Sequence, residues 1–326
     1  MPDLPIAFAE DTVRIAAQGA FPSQVHVFDE DSTRALQAAH AARRPLLVRG
    51  EPGTGKTQLA HAAAAALKLP CVSATVDAGT EARDLLYGFD AVARLGLAQV
   101  LGSLNGMTEA TLLKRLDESK FISPGALWWG FDWRSAEAAF QRGDRSARTP
   151  YSVPVGWTAD EPVVVLIDEV DKADSDVPNG LLEALGRGEF RVPGVGGIVA
   201  VNSDVPPLVV VTTNEERALP DAFLRRCLVL TLELPRDGEA LVRLLIERGR
   251  AHFPDLQLEA VQKAAEMLET DRRQMRNLGM SPPGQAEFLD LLRVVDQLRD
   301  GPGDPLRLLE ELRRFTFQKH PEGSGA

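Results

Sequence analysis

The sequence predicts an α/β fold with a parallel five-stranded sheet, followed by a small all-helical domain. Short apolar runs rich in β-branched residues recur at Pro45–Val48, Cys71–Val76, Pro162–Ile167 and Leu208–Thr212, with Cys227–Leu232 a fifth. Helical stretches separate them, and near-continuous apolar runs of this kind suit strands buried on both faces of a parallel sheet. After Pro235 the period becomes helical: Leu241, Leu244 and Leu245, then Val261, Ala265 and Leu268, then Phe288, Leu291, Leu292 and Val295. A boundary near Leu234 follows, with an N-terminal extension and α/β domain over 1–235 and a helical domain over 236–326.

A chain of 326 residues has room for one large and one small domain, each with its own core. Hydrophobic residues at 44% against 25% charged exclude wholesale disorder. The net charge of -11 argues against a generic basic surface for phosphate backbones, so nucleic acid is not the expected partner. Cys71 and Cys227 stand far apart in apolar surroundings, without metal-ligand or disulfide spacing, and read as buried thiols in a reducing compartment. Met1–Glu10 has no basic stretch leading into an apolar core, and no apolar run approaches the roughly 20 residues of a spanning helix. The expected location is the cytoplasm, with no membrane partner.

Along the chain, residues 1–30 show no firm periodicity. Asp31 and Ser32 then precede Thr33–Ala42, which reads as a capped helix. The first apolar run leads into Gly50, Glu51, Pro52, Gly53, Thr54, Gly55, Lys56 and Thr57, the full P-loop pattern G-x-x-x-x-G-K-[ST], and an Ala-rich helix from Gln58 to Leu67 leaves it. Glycines let the backbone turn its amides inward, and the helix N-terminus adds positive potential, so the loop suits nucleotide phosphates. Lys56 is expected to reach the β- and γ-phosphates, Thr57 to place its hydroxyl on Mg²⁺, and Gln58 to complete the ATP-binding set.

A long segment, residues 86–160, interrupts the α/β pattern and carries Trp128, Trp129, Trp133 and Trp157, with an Arg-rich stretch at Arg142–Arg148. So long a connection carries structure or function of its own. Its tryptophans suit packing against the core better than an interaction surface.

The run Val163–Ile167 ends in Asp168 and Glu169. Asp168 is expected in the Mg²⁺ shell and Glu169 as the general base that polarises the attacking water. The next run delivers Asn214, to orient that water; a turn-forming Asn is the other reading. The segment Leu219–Cys227 presents Arg225 and Arg226 from a short helix before the last strand. An arginine inserted at a neighbour's γ-phosphate stabilises transition-state charge, whereas surface salt bridging is the plainer reading for Arg225. The polar tail Glu322–Ala326 reads as frayed.

Taken in this order, the motifs resemble the AAA+ superfamily, and their wording resembles its MoxR-like, dynein-related branch over residues 30–300. The phrases that carry the likeness are Asp168-Glu-Val-Asp-Lys-Ala-Asp174, Leu181-Leu-Glu-Ala-Leu185 and Leu219–Cys227. The resemblance implies a P-loop NTPase core and an all-helical lid. Lys56 and Thr57 become Walker A, Asp168 and Glu169 Walker B, Asn214 sensor 1, and Arg226 the arginine finger. It also implies a β-hairpin at Glu189–Val201, two apolar arms around a Pro-Gly turn. ATP and Mg²⁺ are the implied cofactors, and a hexameric ring acting with a von Willebrand factor A domain protein to remodel a client is the implied role. One departure stands out. The family's sensor-2 arginine starts the third lid helix, but Gly279–Glu287 holds no basic residue, and nothing in the sequence places nearby Arg276 at the nucleotide.

Two other functions stay open on sequence alone. One is an ATP-gated assembly or signalling scaffold with little intrinsic hydrolysis, which the missing arginine favours. The other is a defence-associated nucleic-acid motor, which the acidic balance disfavours.

Overall fold

A computed structural model describes residues 11–17, 23–103, 108–143, 149–194, 197–202, 204–298 and 304–317. The expectations for Met1–Glu10, for most of Arg142–Arg148, for the tip of the Glu189–Val201 hairpin and for the Glu322–Ala326 tail fall outside these residues.

The chain begins with β1 (Thr12–Ile15), β2 (Gln24–Val27), α1 (Glu30–Ala42), β3 (Leu46–Gly50), α2 (Lys56–Leu67) and β4 (Cys71–Thr75). The interrupting segment holds β5 (Tyr87–Phe89), α3 (Ala91–Gly102), α4 (Glu109–Arg115), β6 (Ile122–Pro124), α5 (Ala126–Phe131) and α6 (Trp133–Arg142). Then come β7 (Val164–Asp168), α7 (Asp176–Arg187), β8 (Glu189–Arg191), β9 (Ile198–Ala200), β10 (Leu208–Thr213), α8 (Asp221–Leu224) and β11 (Leu228–Leu232). Helices α9 (Gly238–His252), α10 (Leu258–Asn277), α11 (Gln285–Leu298) and α12 (Pro305–Thr316) follow.

Two compact units divide the fold. Glu30–Arg49 and Ala60–Leu230 form the first; Glu10–Asp29, Gly50–Leu59 and Thr231–Ala326 form the second. The second unit thus draws together the P-loop, the N-terminal strands and the C-terminal helices.

The five apolar runs are the strands of one parallel sheet, in the order β11-β3-β10-β7-β4. Val210 pairs with Leu46 on one side and Leu166 on the other, and Val72 pairs with Val165. Every residue of central β10 is buried, which is why its sequence is apolar without alternation. One local expectation needs correction. Helix α1 starts at Glu30, so Asp31 and buried Ser32 lie inside it; acidic Glu30 and Asp31 favour the first turn through the helix dipole. Ahead of it, β1 and β2 pair antiparallel from Thr12↔Val27 to Ile15↔Gln24, in a region where the sequence shows no firm periodicity. The predicted hairpin forms from β8 and β9, with Phe190 opposite Val199.

The tryptophans belong to the core of the first unit. β5 and β6 pair antiparallel, Phe89 against Ile122, and the helices after them bury Trp128, Trp129 and Trp133 with Val165 and Val209 of the sheet. Trp129 meets Trp133 edge-on at 4.9 Å and Tyr151 at 5.7 Å. The polar ends are satisfied: Trp128 Nε1 donates to Ser135 Oγ at 2.8 Å and Trp157 Nε1 to the Pro162 carbonyl at 3.0 Å. Trp129→Ala is therefore expected to destabilise the first unit by about 3–5 kcal/mol, as large-to-small changes at buried aromatic residues do. Urea unfolding checks this; a loss below about 1 kcal/mol, the size of an ordinary surface change, would detach the segment from the core.

Burial pushes the Cys71 thiol up to about 12 and the Cys227 thiol up to about 11, so both stay protonated and unreactive at neutral pH. In the second unit α9–α12 bury Leu245, Val261, Leu268, Phe288, Leu292 and Leu309 in a core of their own. A two-bond ion pair ties α12 to α10: Arg313 donates to buried Asp271 at 2.8 Å and 2.5 Å.

Candidate active site

In the second unit the P-loop follows β3, and its glycines take conformations that other residues resist. Gly50, Gly53 and Gly55 have φ of 145°, 76° and 96°. A Cβ on Gly50 would sit 2.2 Å from the Leu232 carbonyl oxygen, so a side chain there has no room. Lys56 opens α2 and is buried; its Nζ donates to the Gly50 carbonyl at 2.8 Å and the Glu51 carbonyl at 3.0 Å. Thr54 braces the loop by donating to the Glu51 carbonyl at 2.9 Å. Thr57 is exposed, and Gln58 reaches back to the N-terminal strands, donating to Gln24 Oε1 and the Val25 carbonyl at 3.0 Å and 3.2 Å. Turned amides ahead of a helix N-terminus, with a buried ammonium at their end, fit the phosphates of a nucleotide.

In the first unit β7 delivers Asp168 as its last residue and Glu169 just beyond it. Glu169 has φ 58° and ψ 46°, a left-handed conformation that a non-glycine residue adopts at some cost. Hydrogen bonds hold it there. Its N–H donates to Thr212 Oγ1 at 2.9 Å, and its carboxylate accepts from Asn214 Nδ2 at 3.2 Å. Thr212 in turn donates to Asp168 Oδ1 at 2.5 Å. One buried hydroxyl on β10 therefore sets both acids, and Asn214, the first residue past β10, touches the expected base directly.

Arg225 and Arg226 sit on the turn after α8 rather than on the helix, and both are exposed. Arg44 fixes this turn from the α1–β3 connection: its guanidinium donates to the carbonyls of Arg225, Arg226 (3.0 Å) and Cys227 (3.3 Å). Arg226 itself makes a 3.4 Å bond to the Ala222 carbonyl.

Sequence reasoning passed over Thr212, Asp171 and Arg44. Asp171 is 2% exposed and accepts from the backbone of Asn214 at 3.3 Å and of Glu216 at 2.9 Å, so it positions the loop that carries Asn214. Asp171 carries no distinguishing mark in the sequence, since it is one of several acids in the charged run 168–176. Nor does Arg44, whose partners lie about 180 residues away.

A family model for an AAA domain of the dynein-related subfamily matches residues 45–248. This chain belongs to that family. The match spans well over half the chain and takes in the P-loop, Asp168, Glu169, Asn214 and Arg226. AAA ATPases generally use ATP with Mg²⁺ and commonly assemble as rings. Among solved structures, a mutant of Thermotoga maritima RuvB is similar over 88% of this chain and 68% of its own, at 16% identity and TM-score 0.44. The Thermotoga maritima RuvB Holliday junction branch migration motor is similar over 88% and 67%, at 17% identity and TM-score 0.40. No curated protein matches this AAA chain. Among the described residues, no helix is long and apolar enough to cross a membrane.

Proposed function

We propose that this chain binds ATP with Mg²⁺ and hydrolyses it as one subunit of a hexameric ring. It is read as a cytoplasmic MoxR-like remodelling ATPase that acts on a client with a von Willebrand factor A domain partner. In this reading Gly50–Gln58 hold the nucleotide, Thr57 and Asp168 hold Mg²⁺, Glu169 is the general base, Asn214 orients the water and Arg226 serves the neighbouring subunit. Residues 1–235 form the nucleotide-binding domain with its insert at 86–160, and 236–326 the lid.

The observation that carries the reading is the fixing of Glu169 by Thr212, Asn214 and a left-handed backbone. A carboxylate held in one pose at the end of a buried strand does not have to reorganise when it takes a proton from water. Mg²⁺, when bound, spreads the charge that develops on the phosphate oxygens. Lys56, already dehydrated among loop carbonyls, adds a fixed positive charge. The scaffold reading keeps one observation in its favour, the absence of a basic residue at the start of α11.

ATP turnover per subunit, measured against protein concentration beside a Lys56→Ala control, separates the two. Turnover that climbs as subunits assemble, and vanishes with ATP binding in Lys56→Ala, supports the ring ATPase. ATP-dependent assembly with flat, negligible turnover at every concentration would sink it.

A further inference from the structure

Beyond Gln58 every residue of α2 is alanine or leucine except His61. Ala60, Ala62, Ala63 and Ala64 around it are buried in the core. A further alanine would favour the helix more, so an imidazole at this place calls for a reason. His61 is half-buried, and its Nδ1 is shut off from solvent with no hydrogen-bond partner among the described residues. A buried polar atom left in that state costs stability, and native structures leave few of them.

Two observations say what the ring faces. His61 follows Thr57 by four residues, so the two side chains share one face of α2. Burial holds the imidazole below its ordinary pKa, and the carboxylate of Asp168, in the same compact unit, is near enough to oppose that shift. A purely structural His–Asp pair would show a bond from the ring to the carboxylate. Here Nδ1 makes none, while Asp168 Oδ1 takes its bond from Thr212 at 2.5 Å.

We infer that His61 is a positioning residue for the hydration shell of the Mg²⁺ at Asp168, its Nδ1 accepting a hydrogen bond from a water of that shell. The inference rests on the reading that Thr57 and Asp168 take Mg²⁺ together with ATP. Among the described residues no group of three or more His, Cys, Asp or Glu could hold a metal ion. A cation at Asp168 therefore draws most of its coordination from nucleotide and water, which suits Mg²⁺, a hard ion that dehydrates reluctantly. Water polarised by Mg²⁺ is a strong donor and needs acceptors directed at it. A neutral imidazole supplies one acceptor nitrogen without adding negative charge to a site that already holds Asp168 and Glu169. Outer partners of this kind fix the water and so tighten the metal, although they never touch it.

Mn²⁺ binding to the full chain loaded with ATPγS, followed by the electron paramagnetic resonance of free Mn²⁺, tests this without any turnover. His61→Leu is expected to weaken Mn²⁺ by about tenfold, the lower range for loss of an outer partner, and to leave ATPγS binding in EDTA unchanged. His61→Asn carries its amide oxygen on Cγ, where the ring carries Nδ1, and should recover most of the loss. His61→Gln places its oxygen one atom farther out, as the ring places Nε2, and should not. Mn²⁺ held equally by His61→Leu and wild type would overturn the inference. So would His61→Asn as weak as His61→Leu, since the ring would then only fill space. A wild-type chain that binds no ATPγS, like a Lys56→Ala control, would instead remove the ATP reading underneath. Leucine is a strong helix former and His61 is only half-buried, so loss of the fold is not expected to imitate the effect.

Discussion

Arg226→Ala is expected to bind ATP as wild type does and to lose about 10³-fold in turnover, the lower range for removal of an arginine finger. The residue sits on an exposed turn whose carbonyls Arg44 clamps, so its backbone is held while its guanidinium makes, among the described residues, one long bond to the Ala222 carbonyl. A cation presented in this way loses little when it moves onto another subunit's phosphate. Mixing gives the sharpest form of the test. Rings that combine Arg226→Ala subunits with Glu169→Gln subunits contain sites with an intact base and a neighbour's intact arginine. Activity should therefore return on mixing two inactive proteins. Mixtures as dead as their parents would show that Arg226 acts within its own subunit or only shapes the turn.

Glu169→Gln has the second large effect. Its turnover should fall by about 10²–10⁴-fold, the usual contribution of a general base. The replacement keeps the size of the side chain and an oxygen for Asn214 Nδ2 to meet, and the backbone bond to Thr212 is untouched. ATP binding and assembly are therefore expected to persist, with ATP held unhydrolysed. Single-turnover kinetics with labelled ATP give the chemical step directly, and a rate within about threefold of wild type, far short of that contribution, would remove Glu169 from the role of base.

The sheet was legible because its strands are buried on both faces. An apolar run such as Leu208–Thr213 has few other homes, and the P-loop marks the strand before it. The hairpin of β1 and β2 left no such mark. Most of its residues are exposed or half-buried, four residues pair with four across an intervening stretch, and no alternation survives at that length. Asp168, Glu169 and Asn214 stand out as candidates in the sequence because each lies at or just past the end of a buried strand. Their supports do not. Thr212 reads as one more β-branched strand residue until its hydroxyl is seen between Asp168 and Glu169. The Arg272 contact to Glu51 joins residues 221 apart and leaves no local pattern at either end. Spacing alone shows no basic residue at the start of α11; the fold brings Arg272 to the P-loop from α10.

The aromatic residues have an optical consequence. All four tryptophans and both tyrosines, Tyr87 and Tyr151, lie between residues 87 and 157, and residues 231–326 contain neither type. Near-ultraviolet emission therefore reports on the first unit alone, through a cluster buried enough to give a blue-shifted signal that reddens when the cluster opens. The C-terminal helices are silent in that channel but contribute to the far-ultraviolet dichroism together with the helices of the first unit. Dichroism sums the helices of both units while emission follows the first alone, so in one denaturant titration a dichroism change that does not coincide with the emission change marks the second unit, with no added label.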